Sequence, residues 1–168
     1  MGAFTLLFLL SVTLVVAAVN PGSYLITNVQ FTAQTVVGTD VAREGMPIST
    51  FNLEGDTSTN TIWSVDSTQT RLTVELLGLL AMTDATGGGA AGQGVFTVQA
   101  PNPQSPLVPI GTQSWEFIQA SHGTIIALAG QDLAWTLATD ALFTQITMQP
   151  IDSSDLRQQW TFTPHALE

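Results

Sequence analysis

Leu156-Arg157-Gln158-Gln159-Trp160-Thr161-Phe162-Thr163 is a short alternating run with a Gln two places before a Trp. A polar side chain there can bond backbone while the indole, on the same face, enters a core. A weaker copy stands at Gln113-Ser114-Trp115-Glu116-Phe117, and a weaker one still at Thr61-Ile62-Trp63-Ser64-Val65. The three tryptophans are spaced 52 and 45 residues apart. Near-periodic units of this length indicate an internally repeated architecture, and each copy closes a similar block. The expectation is a three-fold β structure.

Working outward, the segments between these tryptophans read as short strands. Ser23–Val29 and Thr35–Val37 are rich in β-branched and aromatic residues, and Ile48–Leu53 and Thr61–Val65 complete a first group of four. Arg71–Leu77, Leu79–Met82, Val95–Gln99 and the Trp115 strand make the second group. Thr124–Leu128, Leu133–Leu137, Gln145–Met148 and the Trp160 strand make the third. Gly and Pro punctuate the connections, and no amphipathic stretch of helical length follows residue 20. One block cannot bury its apolar face alone, so twelve strands in three pseudo-repeats of four are expected to share one core. The repeats would run over about 20–66, 67–119 and 120–165 within one domain.

Composition narrows the function. The 168 residues carry 13 acids against 3 basic residues, all of them Arg, for a net charge of −10. Such a chain offers neither a basic patch for nucleic acid nor a cationic helix for an anionic membrane. Without cysteine there is no disulfide scaffold, thiol nucleophile or thiolate metal site. Neither metal nor cofactor is expected.

The N-terminus reads as a targeting segment. Phe4–Val19 is apolar apart from Thr5, Ser11 and Thr13, and Val16-Ala17-Ala18 suits signal-peptidase cleavage. No Lys or Arg precedes it, and an uncleaved anchor or a first buried strand are the alternative readings. The expectation is a signal peptide over residues 1–18 and a secreted domain over 19–168, acting as a monomer.

Gly22-Ser23-Tyr24-Leu25-Ile26-Thr27-Asn28, the three Trp-bearing closing strands and Gln158-x-Trp160 together resemble the ricin-B-like β-trefoil proteins of mushrooms. Two functional branches of that group compete. Val37-Gly38 before a polar loop, Trp135-Thr136-Leu137, and Thr144-Gln145-Ile146 with Pro150 are similar to the fungal serine protease inhibitors of the cospin and cnispin type. The opening strand and the Gln-x-Trp ending are shared with the ricin-B-like lectins. The resemblance implies an all-β β-trefoil, and protease inhibition is the leading expectation.

An inhibitor must present a preorganised loop with one side chain for the protease's specificity pocket. The loop containing Thr39, Asp40, Val41, Ala42, Arg43 and Glu44 is placed for this, with a serine or cysteine protease as partner. Arg43 would fill a trypsin-type pocket, or else pair with Asp40 or Glu44 as an ordinary surface charge. The resemblance puts Asp40 close to the reactive position.

A lectin site of this fold would need an Asp for sugar hydroxyls, an aromatic ring to stack on the sugar and a nearby Asn, Gln or His. Asp40 with Phe51 and Asn52, Asp84 with Phe96, and Asp140 with Phe143 are the candidates, although Phe in a strand is ordinarily core. The partner would then be a glycan. His122 and His165 read as polar turn and tail residues, and Asp152-Ser153-Ser154-Asp155 as a turn. No paired constellation of ionisable groups suits catalysis, so a non-enzyme is expected. A storage or defence protein without a single molecular target is the third reading.

Overall fold

The computed structural model describes residues 19–38, 45–52, 61–74, 79–82, 89–99 and 114–166. The expected signal peptide and the loop 39–44 lie outside the described residues, as does Asp84. Twelve strands run in chain order: β1 (Gly22–Asn28), β2 (Gln34–Val37), β3 (Ser49–Asn52), β4 (Ile62–Val65), β5 (Leu72–Val74), β6 (Leu79–Met82), β7 (Phe96–Gln99), β8 (Trp115–Gln119), β9 (Thr124–Leu128), β10 (Leu133–Thr136), β11 (Thr147–Pro150) and β12 (Gln159–Pro164). All their pairings are antiparallel.

Six strands close a ring. β1 pairs with β4 and β12, β4 with β5, β12 with β9, and β9 with β8. The remaining join is made by Trp115 N donating to Thr70 O at 2.8 Å. Closure removes the exposed edges that an open sheet of short strands would leave. β1 shows why the sequence accepts this place. Its burial alternates, with Tyr24 and Ile26 inward and Ser23, Leu25 and Thr27 half-buried. Asn28 ends the inward row, and its amide is satisfied by Arg157 O, Gln159 O and the amides of Gln30 and Phe31.

The other six strands form hairpins β2–β3, β6–β7 and β10–β11, which meet around a pseudo-three-fold axis. Ile48 N donates to Val95 O, Val95 N to Ile146 O, and Ile146 N back to Ile48 O, each at 2.9 Å. All three residues are fully buried. A second turn of the same pattern links Thr50 N to Thr144 O, Thr97 N to Met46 O and Met148 N to Gln93 O.

The three closing tryptophans occupy matching surroundings. Trp63, Trp115 and Trp160 donate their indole N–H to Val36 O, Ala81 O and Trp135 O at 3.1, 3.1 and 3.3 Å. Each acceptor lies on the second strand of the donor's own block. The side chains at those three positions are Val, Ala and Trp, one large among two small. Trp135 therefore occupies the middle, edge-to-face with all three partners at centroid distances of 6.2, 5.4 and 6.1 Å. Its own Nε1 is buried without a partner among the described residues.

Some strand bounds differ from expectation. Leu156–Gln158 is a 3-10 turn and β12 starts only at Gln159, because the Asp155 carboxylate accepts from Arg157 N and caps the turn. Gln158 still bonds backbone, accepting from Asp152 N and donating to Pro150 O. β11 starts at Thr147, two residues after the expected Gln145, because Gln145 and Ile146 are spent on contacts across the axis. β3 and β10 each lose end residues for a related reason, Ile48 to the axis and Leu137 N to Arg157 O.

Two stability outcomes follow. Trp160→Phe leaves Trp135 O without its indole donor, whereas Trp135→Phe removes a donor that has no partner among the described residues. Chemical denaturation should therefore show Trp135→Phe less destabilising than Trp160→Phe by about 1 kcal/mol. The second concerns acid. The hydrogen bond from Arg157 holds the Asp155 carboxyl below the usual carboxylate range, and the Ser154 hydroxyl does the same for Asp152. A depressed carboxylate stabilises the fold above its unfolded pKa, and that stabilisation is lost as pH falls toward the folded value. Asp155→Asn should accordingly flatten the fall in melting temperature below about pH 4.

Candidate functional site

The segment joining β10 to β11 braces itself. Thr144 donates its hydroxyl to Ala141 O at 2.7 Å and its backbone N–H to the same oxygen at 3.2 Å. Ala141 N donates to the Thr139 hydroxyl at 3.4 Å, and the two threonine hydroxyls lie 3.1 Å apart. This frame holds Leu142 and Phe143 outward at 56% and 67% exposure, the large exposed hydrophobics among the described residues.

Phe143 sits in the left-handed region with φ of 59°. A bulky residue seldom adopts that conformation, since its Cβ crowds the following carbonyl. The two equivalent positions are Gly45 and Gly92, with φ of 77° and 83°. Equivalence follows from the bonds: Gly45 N donates to Thr97 O, Gly92 N to Met148 O and Phe143 N to Thr50 O, at 2.7, 2.7 and 2.8 Å. One hairpin thus holds a ring where the other two hold glycine.

That ring lies against Phe51 of β3, with centroids 5.2 Å apart and planes inclined by 30°. Beneath, Gln34 of β2 is buried and donates from Nε2 to Asp140 O at 2.8 Å. Gln34 is also the register partner of Asn52. One side chain therefore ties the exposed Asp140 loop to the strand pair that carries Phe51 and Asn52. In the sequence these residues fall into a first-block group and a third-block group. The structure brings Phe51 and Phe143 into contact across two repeats and ties the Asp140 backbone to β2, while Asn52, the strand neighbour of Phe51, projects to the other face.

The remaining candidates separate. The loop Thr39–Glu44, with Asp40 and Arg43, lies outside the described residues, and Phe96 is half-buried on β7 without Asp84 described beside it. Phe143, expected as core if it lay in a strand, is a loop residue in solvent. His122 and His165 stand at opposite ends of β12, near Gln159 and Ser23 respectively. Six residues of strand between those ends span about 20 Å. No cluster of three or more metal-ligating side chains occurs among the described residues. Arg157 is committed to Asp155 at 2.7 Å. Gln34 and Leu142 were not singled out from the sequence. The signal available was the repeat itself, which aligns Gly45 and Gly92 with a Phe.

No family model matches the sequence, and no curated protein matches it. Solved structures do. The Rhizoctonia solani agglutinin is 15% identical with a TM-score of 0.72, covering 89% of this chain and 99% of that one. The Macrolepiota procera ricin B-like lectin, solved in complex with lactose, is 15% identical with a TM-score of 0.68, covering 87% and 97%. ThreeFoil, a designed 3-fold symmetric protein, is 12% identical with a TM-score of 0.71, covering 86% and 99%. The likeness is one of fold, and the fold is a β-trefoil.

The strained position makes a checkable statement. Phe143→Gly relieves the left-handed strain while losing ring contact and freeing the unfolded chain, so stability should change by less than about 1 kcal/mol. Gly92→Ala, with open space around its Cβ but φ of 83°, should lose stability in urea titration. The expected loss is about 1 kcal/mol.

Proposed function

We propose that this protein is a secreted carbohydrate-binding β-trefoil of the ricin-B-like kind, and that Phe143 is the ring on which the sugar rests. The observation that carries the reading is the placement of Phe143. A solvent-facing aromatic held in a left-handed conformation, where glycine serves elsewhere, has a cost to stability and no core to fill. A second ring at Phe51 lies against it, and Asp140, three residues earlier in the same loop, supplies an exposed carboxylate suited to sugar hydroxyls. Saccharide recognition pairs an apolar ring face with a few fixed polar groups, and a rigid trefoil supplies both. The lectins among the similar structures support the same direction through their fold.

Protease inhibition, the leading expectation from the sequence, is the competing reading. It depends on the loop 39–44, which lies outside the described residues; the residues flanking it are held by β2 on one side and by the bond from Gly45 N to Thr97 O on the other. Fixed ends reduce the ordering cost of a cleft-filling segment.

A glycan array with the full mature chain tests the first reading, run beside a trypsin, chymotrypsin and cathepsin panel. Glycan binding without inhibition is expected. Phe143→Ala and Phe51→Ala should each weaken binding about tenfold, the equivalent of about 1.4 kcal/mol. Protease inhibition lost in Arg43→Ala, with a silent array, would reverse the assignment.

A further inference from the structure

We infer that the chain offers a single saccharide face rather than three, that this face lies on the seam between the first and third repeats, and that its ligand is a neutral pyranose. The inference rests on the glycan reading above and deepens it.

The count follows from the cap. Three backbone notches surround the axis, alike in geometry: Phe143 over Thr50, Gly45 over Thr97, and Gly92 over Met148. The residue after each acceptor is Phe51, Val98 or Gln149, all half-buried. Among the described residues, only the first notch carries two rings, stacked on one another. Glycine presents no surface on which a sugar can stack, so the other two notches lack the principal contact. The difference lies in side chains, since the backbone bonds are shared.

The seam is held from below. Gln34, 4% exposed, reaches from β2 to Asp140 O, and its Oε1 is buried without a partner among the described residues. An unpaired buried acceptor costs about 1–3 kcal/mol. The amide is therefore oriented for the bridge to Asp140 and not for its own full satisfaction. That bridge joins the segment bearing Phe143 to the strands bearing Phe51 and Asn52.

Charge selects the ligand. Asp140 is an exposed carboxylate on the loop that carries Phe143, and the chain carries −10 overall. Of the described cations, Arg157 is held by Asp155, and Arg71 stands where β5 begins. A sialic or sulfated sugar would meet repulsion there, whereas neutral hydroxyls can donate to the carboxylate. A chain with one such face cannot, as a monomer, bridge two glycans.

Native mass spectrometry of the full mature chain with lactose, chitotriose and sialyllactose, extended to the hits of the array, tests this. The expected result is one neutral sugar per chain, with binding weakened at least tenfold in Phe143→Gly. That variant installs the residue the two equivalent notches already carry, and unchanged near-UV circular dichroism would confirm that it folds. Two or three sugars per chain, or one that survives Phe143→Gly, would overturn the single seam site while leaving glycan binding intact. Preference for sialyllactose over lactose would overturn the neutral class. Silence with every sugar and across the array would remove the glycan reading, and this inference with it.

Discussion

Three backbone hydrogen bonds, passed in a circle from Ile48 to Val95 to Ile146 and back, are what the cap depends on. Each joins hairpins from different blocks, so no block can satisfy its inner carbonyls alone. Buried peptide groups must be paired, and here the pairing is possible only if all three blocks are present. The circle lies at a level where every side chain is buried and branched. Backbone thus fixes the symmetry, and side chains are free to depart from it.

They depart twice, with opposite results. At the acceptor positions for the closing tryptophans the residues are Val36, Ala81 and Trp135. Only one large ring fits among the three indoles, so two small residues make way for it. At the notches the residues are Gly45, Gly92 and Phe143. There the odd residue points into solvent and fills nothing. An internal departure from symmetry completes the packing, whereas an external one makes one repeat unlike the others on the surface.

Much of this was legible beforehand, and for a physical reason. The alternation of β1 and the recurrence of Trp63, Trp115 and Trp160 are properties of neighbouring residues, and strand burial imposes them directly on the chain. The role of Trp135 was not legible, because it lies outside the closing-strand pattern and gains its place only when three blocks converge. The site suffered more. Asp140 and Phe143 were grouped apart from Phe51 and Asn52, since a chain read locally pairs residues near in sequence. The hydrogen bond from Gln34 to Asp140 spans 106 positions and follows from closure of the ring. Core packing was the ordinary expectation for Phe143 as a strand Phe, but its backbone angle and its bond to Thr50 place it in a loop and turn it outward.

The four indoles are close enough to share excitation, and all are shut away from water. They come from β4, β8, β10 and β12, so they touch only when strands from every block have docked. Their coupled near-ultraviolet optical activity is therefore a built-in gauge of assembly. It would stay dark in any chain that had formed its hairpins but not yet brought the third block home.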